Sequence, residues 1–427
     1  MQVKNKNEQI KLSLKKTLEK RQLQVCKMRI CKVQKNKLNK EQKEALKMFF
    51  LEGKWYYNWC LSQEDIFKID TKINTITKLD KDKNKIEYEL KYLTAKMKQA
   101  ILYRIQSSIK SLSSNKKIKR KVGKLKFKSQ INCLILNQLG ITHKLKGKYI
   151  KVNKIKKPIK LLGTEQIKGD IANVLLIQKT NNYYCYITTF ENKTPRKPTN
   201  KAIGLDFGIK DTITTSNGDK YKFEFKETEK LKKYSKRLNR LELLRKKHNL
   251  KNSRKKMKYK LLLDKEYEKI SNIKNETTNK FVNKLKEYDV VSIQDENLAG
   301  WRASKMKGWS CIVQHSIMGR IKSKIKQLET TIIVDKYFPS TKLCPCCGTI
   351  NKIGLQNRIY ECQCGYSFDR DTHSANNILL KGLQILLQQK NTMDCERKTS
   401  ISKIYNDLRS KFMLDDQSSQ VELSLGS

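Results

Sequence analysis

Two short cysteine pairs, in the segments LCPCCGT and YECQCGYSF, have the spacing of a metal site. Zn²⁺ binds four thiolates in a tetrahedron, and two pairs on facing turns supply them from a segment too small for a core of its own. A glycine after each pair permits the tight turn. The alternatives are a cluster of unliganded thiols or a disulfide framework, and the N-terminus has no apolar signal segment that would favour disulfides. We predict a zinc ribbon with one structural Zn²⁺ bound by Cys344, Cys347, Cys362 and Cys364.

Acidic residues occur at three places in or beside predicted apolar elements, where an uncompensated charge is energetically unfavourable. Asp206 lies in the apolar strand segment AIGLDFGIKDTITT, which is typical of the first hairpin of an RNase H-type sheet. A second predicted strand, in YDVVSIQDENLAGW, ends in Asp295 and Glu296, and Asp371 stands at the start of a predicted helix, where it could also act as a cap. Sugar kinases and related ATPases begin with a similar strand, so the first motif alone does not distinguish a nuclease from these enzymes. Together, three such carboxylates suit two Mg²⁺ ions about 4 Å apart for phosphodiester hydrolysis.

The charge of the chain indicates a polyanionic partner. Its 427 residues carry 93 Lys and Arg against 41 Asp and Glu, a net charge of +52. Such an excess is tolerated best when nucleic acid neutralises it. Residues 116–128 and 151–160 are predicted to be strands with one cationic face, and residues 226–269 a helical hairpin with a basic outer face. No apolar run approaches the roughly 18 residues that span a membrane, so no membrane partner is expected.

The pattern of elements predicts a multidomain α+β chain. A strand at 23–38 is followed by a helical stretch over 40–113, and short strands return from about 125 to 197. This arrangement indicates a small β-barrel split by a helical insertion. A Pro-containing linker leads into an α/β region, and the polar segment from about 387 is predicted to be flexible.

The segments AIGLDFGIKD, VSIQDENLAGW, QHSIMGRIKSKI, STKLCPCCG and YECQCGYSFDRDTHSANNIL resemble the TnpB family of transposon-encoded, RNA-guided DNA endonucleases, which is related to compact type V CRISPR effectors. The resemblance is strong over about 198–385 and weaker over about 20–197. It implies an RNase H-like RuvC nuclease interrupted by a zinc ribbon, preceded by a wedge barrel and a recognition domain. The implied boundaries are a basic arm at 1–22, the wedge at 23–38 and 114–197, the recognition insertion at 39–113, RuvC at 198–340 and 368–386, the ribbon at 341–367 and a flexible tail at 387–427.

The resemblance also implies roles for the acids. Asp206 corresponds to the first RuvC acid and Asp371 to the third. An ungapped match to the commoner form of the motif puts Gln294 at the second position, whereas a variant form puts Glu296 there. Strand alternation points Gln294 and Glu296 to one face and Asp295 to the other. We therefore predict Mg²⁺ binding and catalysis by Asp206, Glu296 and Asp371, with Asp295 as the fallback.

The predicted function is RNA-guided, Mg²⁺-dependent cleavage of DNA by a transposable-element protein, with a guide RNA and target DNA as partners. The alternatives are a compact type V CRISPR effector, a nuclease-dead RNA-guided DNA-binding regulator, and a guide-free resolvase or transposase. The protein is expected in the cytoplasm, on the nucleoid when bound to DNA, with a monomer favoured. Arg370 is expected to contact a phosphate or pair with Asp369, and His315 to pack or to contact nucleic acid.

Overall fold

The structure, a computed structural model, describes residues 2–80, 84–165, 167–180, 182–194, 197–223, 225, 228–248, 253–303, 313, 316–354, 356–388 and 395–424. The chain divides into two compact units, Met1–Pro195 and Arg196–Ser427. None of the described helices combines the length and the apolar character needed to cross a membrane.

The first unit is built on a seven-stranded antiparallel sheet. The strands lie in the order β4-β8-β9-β1-β7-β6-β5, so β1, from before the helical insertion, lies between β9 and β7, from after it. This agrees with the prediction of a barrel-like sheet made from two chain segments. The elements are α1 Gln2–Gln22, β1 Gln24–Val33, α2 Lys40–Ser62, β2 Thr75–Leu79, β3 Lys85–Glu89, α3 Ala95–Lys117, β4 Cys133–Leu136, β5 His143–Lys146, β6 Tyr149–Val152, β7 Ile159–Leu162, β8 Asp170–Lys179 and β9 Asn182–Asn192.

The inserted segment is less helical than predicted, because β2 and β3 form an antiparallel hairpin between α2 and α3. The sequence KIEYE of β3 alternates charged and apolar residues, a strand pattern that the longer apolar period of the segment obscured. The ring of Tyr88 packs edge-on against Trp55, with centroids 4.8 Å apart. Fully buried Glu52 then accepts hydrogen bonds of 2.8–3.0 Å from the backbone nitrogens of residues 91–93, which fixes the chain before α3.

The secondary structure of the two basic stretches, residues 116–128 and 151–160, was predicted only in part. Residues 116–128 are not a strand: α3 runs to Lys117, and residues 120–128 have no regular secondary structure. Residues 151–160 cover the end of β6, a turn and the start of β7. Cationic alternation therefore identified strand residues only in the second stretch, because strand formation also depends on partners far away in the chain.

The second unit contains a five-stranded mixed sheet in the order β12-β11-β10-β13-β14. Strands β10 and β11 form the predicted antiparallel hairpin, whereas β13 and β14 extend the sheet in parallel from β10. The elements are β10 Ala202–Asp206, β11 Ile213–Thr215, β12 Lys220–Tyr221, α4 Glu229–Lys247, α5 Arg254–Leu285, β13 Val290–Gln294, α6 Leu298–Ala303, α7 Met318–Ile325, β14 Thr331–Val334, β15 Ile359–Glu361, β16 Ser367–Asp369, α8 Arg370–Gln388 and α9 Cys395–Ser424. Helices α4 and α5 cover the segment predicted as a helical hairpin.

Helix α8 lies directly against β10. A Cβ atom at Gly204 would be 2.0 Å from the carbonyl oxygen of Ala375, so only glycine permits this approach. The close packing brings the start of α8 to the end of β10.

The prediction of a flexible tail from residue 387 is wrong for the described part of α9. Its residues Ile401 and Phe412 are buried, the first in a cluster with Leu383 of α8 and the second beside Tyr366, with ring centroids 6.0 Å apart. The apolar positions recur at helical spacing inside a polar segment. Overall composition therefore hid a narrow packing stripe.

Candidate functional site

The four predicted zinc ligands meet at one point. The sulfur atoms of Cys344 and Cys364 are 3.6 Å apart, those of Cys347 and Cys362 are 3.5 Å apart, and all four lie within 4.8 Å of one another. Four sulfurs at about 2.3 Å from a tetrahedral zinc ion are about 3.8 Å apart, so the cluster fits one structural Zn²⁺.

The turns that carry the thiols have the predicted glycine geometry. Gly348 and Gly365 have φ values of +77° and +90°, in the left-handed region. Their backbone nitrogens donate to the carbonyl oxygens of Cys344 and Cys362 at 3.1 and 3.0 Å. Hydrogen bonding with Thr349 lowers the pKa of the Cys347 thiol to about 6, which favours the thiolate that a metal requires.

Asp206 and Glu296 lie together at one edge of the five-stranded sheet. Asp206 ends β10, and Glu296 follows the parallel neighbour β13 by two residues. Burial and the charge of Asp371 raise the pKa of Asp206 to about 7. Burial and the charge of Asp206 raise the pKa of Glu296 well above its usual range. The Oε2 atom of Glu296 is buried and has no hydrogen-bond partner among the described residues, although the charge of Lys322 partly offsets that of Glu296.

Asp371 lies in the first turn of α8, close enough for its charge to act on Asp206. Its Oδ1 accepts from Arg370 Nη2 at 3.1 Å, and its Oδ2 lies 3.7 Å from Arg358 Nη1. The three acids are spaced more widely than the thiols. Among the residues that the structure describes, the thiols are the one set of three or more Cys, His, Asp or Glu with ligand atoms within 4.8 Å of one another.

A different acid caps α8. Asp369 accepts hydrogen bonds from the backbone nitrogen and hydroxyl of Thr372, at 3.0 and 2.9 Å, and forms a 2.8 Å ion pair with Lys220. Capping therefore does not explain Asp371. The guanidinium of Arg370, which was expected to contact a phosphate or to pair with Asp369, forms an ion pair with Asp371.

The three neighbouring candidates for the second acid have different surroundings. Asp295 is half exposed and lies 2.7 Å from Lys326 Nζ, which lowers its pKa. Gln294 is buried, and its Nε2 donates to the carbonyl oxygens of Asp335 and Phe338 at 3.1 and 2.7 Å. Glu296 is the one of the three whose pKa responds to the charge of Asp206.

Lys322 was not among the candidate residues chosen from the sequence, yet it lies close to the acids. Its side chain is only 7% exposed, and its Nζ donates to the Glu296 carbonyl oxygen at 2.7 Å and lies 3.6 Å from Asp295 Oδ1. Burial lowers its pKa, while the charge of Glu296 acts in the opposite direction. Lys322 shares the buried helical face of Met318, Ile321 and Ile325, and this spacing was a signal that could have found it.

A buried chain of polar side chains connects the acids to the base of the ribbon. Ser374 hydrogen-bonds to Asp206 and donates to Ser340 Oγ at 3.0 Å, and Ser340 donates to Gln294 Oε1 at 2.9 Å. Asn377 Nδ2 donates to the carbonyl oxygen of Ser340 at 2.8 Å. These bonds fix the orientation of Asp206 relative to α8 and β13.

Histidine has a packing role in this region. His373 is fully buried, stacks on Tyr360 with ring centroids 3.8 Å apart, and has a pKa lowered to about 4 by burial. It is therefore neutral and joins α8 to the ribbon. The predicted contact residue His315 lies outside the described residues.

The segments that carry these residues match known families. Residues 184–302 match the family OrfB_IS605, described as "Probable transposase", and residues 315–378 match the family described as "Cas12f1-like, TNB domain". A Streptomyces pristinaespiralis protein named "Putative RNA-guided DNA endonuclease" is 28% identical over 200 residues. The chain is therefore similar to these proteins over residues 184–302 and 315–378.

The aligned region is 44% of this chain and 47% of the relative, so the chain spans about half the length of the curated relative it matches. A solved structure, "Cryo-EM structure of the Cas12f1-sgRNA-target DNA complex", has 15% identity and a TM-score of 0.36, covering 66% of this chain and 70% of that one. A TM-score at that level does not establish a shared fold. The two family matches include Asp206, Glu296, Asp371 and all four thiols.

Proposed function

We propose that this chain is an RNA-guided DNA endonuclease of a transposable element, with a RuvC-like site formed by Asp206, Glu296 and Asp371. The observation that carries the proposal is that the half-buried residues Asp206 and Glu296 lie close enough to interact where two parallel strands end, and that Glu296 Oε2 has no hydrogen-bond partner among the described residues. Two adjacent carboxylates that are shielded from solvent are unfavourable unless a cation compensates them. The match of this segment to a transposase family and the name of the relative support the DNA substrate and the RNA guide.

The donor set fits Mg²⁺, which prefers hard carboxylate oxygens. Asp206, Glu296 and Asp371 would hold the ions, and bound Mg²⁺ supplies an activated water and stabilises the leaving oxygen. The protein provides the orientation: Ser374 fixes Asp206, and Lys322 holds the backbone of Glu296. The arginines beside Asp371 offset the like charge of the three acids.

The remaining assignments belong to the same proposal. The barrel-like sheet would be the wedge and the insertion at 39–113 the recognition domain, both binding guide RNA through the positive charge of the chain. Residues 198–340 and 368–386 would form the nuclease, and residues 341–367 a ribbon that holds one Zn²⁺. The protein would act as a monomer on nucleoid DNA in the cytoplasm.

A second candidate is a compact type V CRISPR effector, which the match to the "Cas12f1-like, TNB domain" family favours. The two candidates differ in the source of their RNA. Expression of the protein with its native flanking DNA, followed by sequencing of the RNA that copurifies, separates them. One abundant RNA with a 3′ end from the flank of the element supports the transposon function, and repeat–spacer chimaeras support the CRISPR function. An absence of enriched RNA contradicts both.

A further inference from the structure

The first unit contains a positively charged cleft to which no specific ligand contact has been assigned above. The cleft has a volume of about 620 Å³ and lies between α2, α3 and residues 124–133, the segment that leads into β4. Its lining includes Arg104, Lys124, Lys126 and Lys128, and no described residue that lines it is acidic. Four cations around one cleft without a carboxylate create a potential that favours an anion.

Phe127 lies between Lys126 and Lys128 in the segment that leads into β4. Its side chain is 67% exposed, so the fold gains little from an aromatic residue at this position. The backbone beside it is nevertheless held in place. Asn58 of α2 accepts a hydrogen bond from the backbone nitrogen of Lys128 at 2.8 Å and donates one to its carbonyl oxygen at 2.9 Å. Leu125 packs against the core on the other side.

The floor and rim of the cleft supply further contacts. Lys128 Nζ lies 4.1 Å from the centroid of the Tyr57 ring, and burial together with the charge of Arg104 lowers the pKa of Lys128. Gln130 and Asn132 line the same cleft and offer amide groups. An exposed ring on a fixed backbone, flanked by cations and amides, is the set of groups that binds an unstacked base and its phosphates.

We propose that this cleft binds an unpaired nucleotide of single-stranded RNA, with the base stacked on Phe127 and the adjacent phosphates on Lys124, Lys126 and Arg104. The inference rests on the proposed function in taking guide RNA as the source. RNA is favoured over DNA because sequence-specific recognition of RNA targets unpaired bases that can be splayed out and stacked. The alternative is an exposed basic segment that attracts only counterions.

The test uses the full-length protein without added Mg²⁺, so that no cleavage occurs, and fluorescein-labelled U20 RNA as the probe. Phe127→Ala is expected to weaken binding about 10-fold or more, whereas Phe127→Trp retains it. The matched control is Tyr103→Ala, since Tyr103 lies on α3, is 70% exposed and does not line the cleft. Lys126→Ala is expected to reduce the salt dependence by about 0.7 in slope. A 4-thiouridine-substituted probe should crosslink within residues 124–133.

Three outcomes contradict the proposal. Equal binding by Phe127→Ala and Tyr103→Ala removes the stacking role, and crosslinks that avoid residues 124–133 place the RNA elsewhere. A T20 DNA that binds as tightly as U20 and shows the same loss with Phe127→Ala overturns the assignment to RNA. If the wild-type protein binds U20 while the Phe127 variants have no effect, only the cleft proposal fails. If the wild-type protein does not bind U20, the guided function loses its support as well.

Discussion

Asp369 accepts two hydrogen bonds from Thr372, at 3.0 and 2.9 Å, and so caps the helix on which Asp371 lies. The two aspartates should therefore separate stability from activity. Asp369→Ala is expected to lower the free energy of unfolding by about 1 kcal/mol through loss of the cap. Asp371→Asn is expected to change it by less than about 0.5 kcal/mol but to reduce cleavage more than about 100-fold. Urea unfolding and a cleavage assay on both variants check this. A large loss of stability in Asp371→Asn with cleavage intact would show that its role is structural.

The second acid can be identified by comparing neighbours. Glu296→Gln removes a charge from the site beside Asp206 and is expected to reduce cleavage by at least about 100-fold. Asp295→Asn removes a half-exposed ion pair with Lys326 and is expected to leave cleavage within about threefold, since such pairs contribute little. Rates measured at saturating Mg²⁺ decide the question. The reverse order of effects would assign the role to Asp295.

The buried acids predict an unusual dependence of stability on pH. Burial and Asp371 raise the folded-state pKa of Asp206 to about 7, whereas an aspartate in the unfolded chain has a pKa of about 3.9. Between these values the folded chain keeps a proton that the unfolded chain has released, so the contribution of Asp206 to stability is lost as pH rises through about 7. We expect Mg²⁺ to raise the melting temperature more at pH 8 than at pH 5.5. Thermal unfolding without added Mg²⁺ and in MgCl₂, with the zinc retained in both, measures this.

Asp206→Asn is the informative variant in that experiment, because it should reduce both the loss of stability at high pH and the response to Mg²⁺. Asp295→Asn is the control, since Lys326 lowers the pKa of Asp295, so the contribution of Asp295 to stability is present at neutral pH and is lost only as pH falls into the acidic range. A response to Mg²⁺ that is unchanged in Asp206→Asn would place the ion elsewhere.

Zinc is expected at one ion per chain, measured by mass spectrometry of the purified protein. Cys364→Ser removes one of the four converging thiols and should lower zinc content and loosen the stack of Tyr360 on His373. Because β16 of the ribbon continues directly into α8, cleavage should fall as well. The control is Cys346→Ser, which changes a cysteine of the same segment outside the cluster and should keep its zinc. Full zinc content in Cys364→Ser would contradict the ligand set.

The elements that carry the acids were predictable because their signals are local. An apolar strand ending in Asp206 and a periodic helix starting near Asp371 needed no knowledge of distant contacts. The hairpin of β2 and β3 was missed because a short alternation lay inside a longer apolar period. The packing of α9 was missed because the apolar positions that include Ile401 and Phe412 recur at helical spacing inside a segment whose overall composition is polar. Bonds such as Ser374 to Ser340 join residues 34 positions apart, and no local pattern specifies them.

The most direct test is cleavage of a DNA target by the protein purified with its own RNA, in Mg²⁺, by the wild type and by Asp206→Asn. The wild type is expected to cut a target complementary to the RNA and to leave a scrambled target intact. Asp206→Asn should bind the complementary target and cut neither target. Cleavage that is independent of the RNA, or that persists in Asp206→Asn, would contradict RNA-guided cleavage at the Asp206 site.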